Sequence, residues 1–280
     1  MKKIVSMKRI PKLLGALLLL SVVLLFTGCL DMRTIISVNK DGSGTVEQRF
    51  LMQKQFVEML QGMAAMSGEG QDDSEGSFMY KPEELKANAA GMGKGVRFKT
   101  AEPLETSSME GYRVVYSFSD INTLRVNQNP GDAVPAPSDD GDEEQAPEYL
   151  TFSFKKGPTA TVQIHLPDEK DSDDAQDGAG SAGAEPKQED IDMAKQLYKD
   201  MRLTMLVKFN GSIVKTNATH RNGSEITLMD MDFGKIMSND ELVKKLAAAE
   251  AESLEATKAY VNNVPGVKVE QNQTVEVQFK

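Results

Sequence analysis

Strand-like runs alternate with tight turns along most of this chain, and that alternation constrains the fold more than any other feature. Residues 32–39 (MRTIISVN) and 45–52 (TVEQRFLM) suit a pleated, half-buried surface, and Lys40-Asp41-Gly42-Ser43-Gly44 separates them. Glycines supply positive φ at no steric cost, so the pair predicts a β-hairpin. A phosphate-cradling glycine loop would need a following Lys-Ser/Thr, which is absent. Residues 96–100 predict a short strand. Residues 111–119 (GYRVVYSFS) predict a longer one, with Tyr112, Val114, Tyr116 and Phe118 on one face. Residues 149–155 and 159–166 flank Gly157-Pro158, a second hairpin signal. In that hairpin His165 alternates outward from Ile164 and Leu166, a surface position. Asn210-Gly211 and Arg221-Asn222-Gly223 punctuate three more runs, at 203–209, 212–219 and 225–231. Both are strong hairpin turns, so a three-stranded antiparallel meander is expected. Residues 267–270 and 274–279 predict a final short edge hairpin.

Helical spacing appears between these runs. Phe56, Met59, Leu60, Met63 and Met66 fall on one face of a helix over residues 53–66. Residues 82–92 predict a second helix, with Pro82 placed for its first turn. Residues 191–202 are amphipathic, and 239–262 (NDELVKKLAAAEAESLEATKAYVN) are rich in strong helix formers. About ten strands and three or four helices, joined mostly by tight turns, predict an α+β domain. The expected architecture is a curved, mostly antiparallel sheet packed against helices.

The N-terminus carries five positive charges (Lys2, Lys3, Lys8, Arg9 and Lys12) before an apolar run at residues 13–26. That run is shorter than the ~20 residues a membrane-crossing helix needs, and it suits the apolar region of a secretory signal. Thr27-Gly28 then precedes Cys29, the one cysteine in the chain. The box Leu25-Phe26-Thr27-Gly28-Cys29 resembles a bacterial lipoprotein signal. The resemblance implies cleavage between Gly28 and Cys29, a diacylglycerol on the Cys29 sulfur and an N-acyl chain on the new terminus. No other cofactor and no metal is expected. Two or three acyl chains make release from a bilayer very slow. Leu30 rather than Asp follows the cysteine. By the enteric sorting rule this favours the periplasmic face of the outer membrane in a Gram-negative organism. Otherwise the outer face of the plasma membrane is expected.

The formal net charge is −10, from 32 basic and 42 acidic residues. Without residues 1–28 it becomes −15. Residues 132–148 hold seven acidic and no basic residues, and 168–192 hold ten acidic and two basic ones. These two segments carry the whole excess, and the rest of the mature chain is balanced. Both are rich in Asp with Pro, Gly, Ala or Ser. With a shorter stretch at 67–77 they hold too little apolar surface to offset ordering, so disordered loops are expected at 67–77, 132–148 and 168–188. The Asp spacing lacks the Asp-x-Asp-x-Asp-Gly pattern of a calcium loop. An acidic chain lacks the basic face that nucleic acid requires, so no such partner is expected. One cysteine excludes an internal disulfide, and two histidines leave little for a metal site.

Several segments together resemble the LppM-type domain of bacterial lipoproteins. They are Cys29-Leu-Asp-Met, Asn39-Lys-Asp-Gly-Ser-Gly-Thr-Val46, Val207-Lys-Phe-Asn-Gly-Ser-Ile-Val-Lys-Thr-Asn217 and Asn222-Gly-Ser-Glu-Ile-Thr-Leu228. The resemblance spans residues 29–237. It implies a helix-grip-like α+β domain, associated in mycobacteria with envelope glycolipids. Many actinobacterial members end in a transmembrane helix. Here residues 238–280 carry a polar helix and a short hairpin, expected to pack on the same domain.

No G-x-S-x-G, H-E-x-x-H or G-x-x-x-x-G-K motif occurs, and no Cys–His pairing, so the expectation is a protein without enzymatic activity. The expected function is an envelope lipoprotein whose domain binds a lipid or other amphiphile. The candidate apolar ligand face is Phe56, Met59, Leu60 and Met63, because methionine adapts to irregular apolar ligands. Expected partners are the membrane, through the anchor, and an amphiphile. The alternative is a structural lipoprotein that meets an envelope protein through an edge strand or the 239–262 helix.

Overall fold

The first hairpin forms as its turn chemistry predicts. In a computed structural model, β1 (Leu30–Val38) pairs antiparallel with β2 (Gly44–Gln53), from Leu30 opposite Met52 to Val38 opposite Gly44. Gly42 takes φ 88°. A Cβ there would lie 2.7 Å from the Phe154 ring, so a side chain is excluded twice over. Asp41 accepts from the Ser43 backbone N–H and hydroxyl at 3.0 and 2.7 Å, which closes the turn. The structure describes residues 30–67, 79–128, 149–167, 201–243 and 264–280, with Asp192, Lys195 and Tyr198; side chains of 63–67 are excepted. The acidic segments expected to be disordered lie outside the described residues, as does most of the 239–262 helix.

Two sheets carry the fold. The larger runs β10 (Arg221–Asn222), β11 (Glu225–Asp232), β8 (Arg202–Phe209), β1, β2, β4 (Met109–Phe118), β3 (Arg97–Glu105), with β12 (Val267–Val269) also on β11. The smaller runs β5 (Arg125–Asn127), β6 (Tyr149–Lys155), β7 (Ala160–His165), β13 (Thr274–Phe279), β9 (Ile213–Thr216). Period-2 alternation turns one face of each inward. Ile36, Val46, Val114, Tyr116 and Val207 of the larger sheet meet Leu150, Val162, Ile164, Val275 and Val277 of the smaller in one core. The Phe209 and Phe279 rings, 4.8 Å apart, join the sheets across it. Each such buried side chain contributes roughly 1.5–3 kcal/mol.

Three α-helices whose bounds are described pack on these sheets. The first, α1 (Lys54–Ser67), follows β2 without a break. The second, α2 (Pro82–Gly91), has Pro82 in its first turn, as the sequence predicts, with Glu83 and Glu84 favourably placed at the positive end of the dipole. Its Leu85 and Ala89 enter the main core, and the Tyr116 hydroxyl donates to the Leu85 carbonyl at 2.7 Å. The third, α3 (Phe233–Met237), is capped by Asp232, whose carboxylate accepts from the Lys235 N–H at 3.2 Å. Ile236 lies there with Leu242, Val264 and Val267 in a small separate cluster.

Three expectations need correction. The fold is richer in β-structure than an α+β sheet packed against helices: the main partner of the larger sheet is the second sheet, and α2 fills in beside it. The pairing is mostly antiparallel, as expected, with β8 running parallel to β1. The expected meander does not form. Asn210-Gly211 carries the chain from one sheet to the other, so β8 pairs with β11 while β9 joins β13. Ser212 and Lys280 exchange backbone hydrogen bonds at 2.8 and 3.0 Å and hold that crossing. Finally, residues 267–279 are not an edge hairpin. β12 pairs with β11 and β13 lies inside the smaller sheet, because Val275, Val277 and Phe279 are wholly buried there.

Candidate functional site

The chain enters the fold at Leu30, one residue after Cys29, and Leu30 is already buried. Gly28 and Cys29 lie outside the described residues. Register decides what surrounds this entry. Leu30 stands opposite Met52, and Met32 stands opposite both Phe50 and Leu203. With Val57, Leu60 and Met79 these residues form a second hydrophobic cluster at the Leu30 end of the larger sheet. The inner face of that sheet is therefore covered in two parts, by the smaller sheet and α2 at one end and by α1 at the other. Met52 and Met79 are buried in the α1 cluster, and Met32, Met201, Met229 and Met231 pack against it. The fold gathers methionines from three strands and two loops around Leu30. Their wide separation in sequence hid the grouping.

Helix α1 places the four residues of the sequence-predicted apolar face differently from one another. Leu60 is buried, Phe56 is partly buried against the same cluster, and Met59 is 42% exposed. Met63 falls in α1, with its side chain outside the described ones. The inward position that the sequence reading omitted is Val57, 2% exposed. Its spacing to Leu60 was a usable signal, masked by the methionine series beside it.

The opposite face of the larger sheet carries charge. One transverse row reads Asp230, Thr204, Arg33, Arg49, Arg113, Glu102 across β11, β8, β1, β2, β4 and β3. Like charges directly opposite one another destabilise a sheet, and neighbouring carboxylates offset most of this. Arg49 pairs with Asp31. Arg113 donates to Glu47 at 2.6 Å and to Glu102 at 3.1 Å. Arg202 reaches Asp230 at 3.0 Å. The hydrogen bond from Arg113, more than any other cause, holds the Glu47 carboxyl below its ordinary range. Among the described residues, Arg33 has no carboxylate at ion-pair distance, and the buried Nε of Arg49 has no hydrogen-bond partner.

On the outer face of the smaller sheet Ser153 Oγ lies 3.0 Å from His165 Nε2, and His165 Nδ1 lies 3.3 Å from Thr274 Oγ1. The sequence placed His165 outward correctly and missed the serine. Hairpin register brings Ser153 diagonal to it, since Thr151 is the residue opposite His165. A Ser–His contact is part of a hydrolytic apparatus. Here the third group is a neutral hydroxyl, which cannot balance an imidazolium. The three side chains form a surface chain tying β6, β7 and β13.

Glu270 is the one acidic side chain among the buried residues described. It accepts from Thr219 N, Thr219 Oγ1, Gln271 N, Asn272 N and Asn272 Nδ2, at 2.7 to 3.0 Å. Burial pushes its carboxyl up, and the hydrogen bonds from Thr219 and Asn272 outweigh this and bring it below the ordinary value. The group is satisfied, so its role is to hold two loops together. No group of three or more metal-ligating side chains occurs among the described residues, and no described helix is long and apolar enough to cross a membrane.

No family model matches the chain, and no curated protein does. Among solved structures it is similar to the NMR structure of the folded domain of the Mycobacterium tuberculosis LppM protein. That likeness has a TM-score of 0.33 and 10% identity, and covers 91% of each chain.

Proposed function

We propose that this chain is a lipid-anchored lipoprotein of the bacterial envelope with a non-enzymatic domain that binds a lipid or other amphiphile. The observation that carries the reading is the methionine-rich cluster under α1, one residue beyond the cysteine of the lipoprotein box. Flexible thioether side chains at the end nearest the membrane suit an irregular apolar ligand. The exposed Met59 on the helix that covers this cluster supplies an apolar outer contact.

The chain has no tryptophan, which makes the test direct. Met59→Trp places one fluorophore at an exposed site, where the fold tolerates it. Adding a fatty acid or phospholipid should move its emission to the blue, and the wild-type chain should take up a fluorescent fatty acid. No uptake and no shift would remove the amphiphile reading and leave a structural lipoprotein that acts through protein contacts. The anchor is tested separately: Cys29→Ser should accumulate as an unprocessed precursor, and a mature-size, membrane-bound product would refute lipidation.

A further inference from the structure

We propose that Thr34 and Gln48 anchor the uncharged headgroup of a single-chain amphiphile, in a cleft between the two covers of the larger sheet's inner face. On that face Ile36 and Val46 belong to the core shared with the smaller sheet, and Met32 and Phe50 belong to the cluster under α1. Period-2 alternation sets Thr34 between Ile36 and Met32, and Gln48 between Val46 and Phe50, on the same face. The two stand directly opposite each other on β1 and β2. Their transverse row reads Met229, Met205, Thr34, Gln48, Val114, Ala101 from β11 to β3. Met205 and Val114, on either side of the pair, are buried, whereas Thr34 and Gln48 are only partly so. The two covers therefore leave an opening over the polar pair. It spans one strand pair, ~5 Å, the width of one acyl chain.

Polar side chains on the inner face of a sheet call for hydrogen-bond partners. Among the described residues neither Thr34 nor Gln48 has one, and the Tyr112 hydroxyl has none either. None of these polar atoms is enclosed, so all stay open to the cleft. Tyr112 stacks on Phe50 at 5.6 Å and, like Met229, packs against both clusters, which places it at the seam. Apolar walls with a few convergent polar groups make a small-molecule site. Charge selects the headgroup. From β11 to β3, neither this row nor the row on either side holds a charged side chain. Two rows towards α1 stand Glu110 and Glu105, both acidic, and Lys54 is already paired with Glu105. A carboxylate or phosphate head would thus be desolvated with no cation to answer it. The Gln48 amide and the two hydroxyls both donate and accept, which suits the ester and free hydroxyls of a monoacylglycerol, its chain lying among the methionines under α1.

This inference rests on the amphiphile reading and gives it a headgroup. The chain from residue 29 onward, which spans every described residue, is prepared with Cys29→Ser and titrated calorimetrically with monolauroylglycerol, laurate and dodecylammonium. These probes share one chain length and differ in headgroup charge. Monolauroylglycerol should bind about tenfold more tightly than either charged probe. Gln48→Leu and Thr34→Val should each weaken its binding about fivefold. Neither should lower the melting temperature of the ligand-free chain, because neither side chain bonds within the fold. Gln163→Leu, on the outer face of the smaller sheet, should leave binding unaltered. Equal affinity for the three probes would overturn the proposal, as would a preference for a charged one. So would Gln48→Leu and Thr34→Val chains that bind monolauroylglycerol like their parent, a Gln163→Leu chain that weakens as much, or a melting temperature lowered by either cleft variant. A chain that binds laurate as tightly as monolauroylglycerol loses this inference alone, and one that binds none of the three loses the amphiphile reading with it.

Discussion

Replacing Glu270 by glutamine tests how a buried carboxylate holds the two sheets' loops together. Glu270 is 2% exposed and follows β12 of the larger sheet, while Asn272 leads into β13 of the smaller one. Its Oε1 accepts from Thr219 Oγ1, Gln271 N, Asn272 N and Asn272 Nδ2, and its Oε2 accepts from Thr219 N at 2.9 Å. Glutamine keeps the shape, removes the charge and turns one oxygen into a donor. With four donors on Oε1, the amide oxygen takes that place, and the new N–H₂ faces the Thr219 N–H. One charged hydrogen bond is lost, worth ~1.5–3 kcal/mol, and a partly buried donor is left unsatisfied at ~1–3 kcal/mol. Together these predict a loss of about 3 kcal/mol at pH 7, read as a shift in the urea midpoint at constant slope.

The pH dependence separates this account from a packing effect. The folded carboxyl titrates below its unfolded value of 4.5. Its stabilisation is thus fully present above that value and disappears as pH falls through the lower folded value. Wild type and Glu270→Gln should differ most at neutral pH and converge as pH falls through the lowered folded value. A difference that stays constant with pH, or is under about 0.5 kcal/mol at pH 7, would refute the reasoning.

Two further substitutions probe the larger sheet. Gly111→Ala adds a Cβ 2.0 Å from the Phe50 carbonyl oxygen, a backbone atom of the paired strand β2. The β2–β4 ladder would have to separate, so the variant should lose at least 3 kcal/mol, seen as a lowered melting temperature or insoluble expression. Tyr116→Phe removes the hydrogen bond to the Leu85 carbonyl and should cost about 1 kcal/mol, with amide exchange quickened most in α2.

Local signals carried the parts of the fold that depend on neighbouring residues. The Asp41-Gly42-Ser43 turn, the Gly157-Pro158 hairpin, the Pro82 helix start and the inward face of Tyr112 to Phe118 follow from turn chemistry and period-2 alternation. Pairing partners did not follow. Residues 210–211 look like a hairpin turn, yet they serve as a crossing between sheets, because that lets Ile213 and Phe279 both reach the core. Edge strand β3 extends to Glu105 through Pro103, a residue that argues against a strand unless the strand is at an edge. Edge position is itself a tertiary property.

The same division holds for function. The sequence alone determined the basic N-terminal residues, the apolar run at 13–26 with Cys29 just after it, the acidic segments and the absence of familiar catalytic motifs, since these are contiguous in the chain. Only the tertiary structure decided that methionines from residues 32 to 231 meet under α1 beside the chain entry. It likewise decided that Arg33, Arg49 and Arg113 stand side by side. Strand register, set by burying the inner face, brings distant residues together on both faces at once, and no local pattern encodes that register.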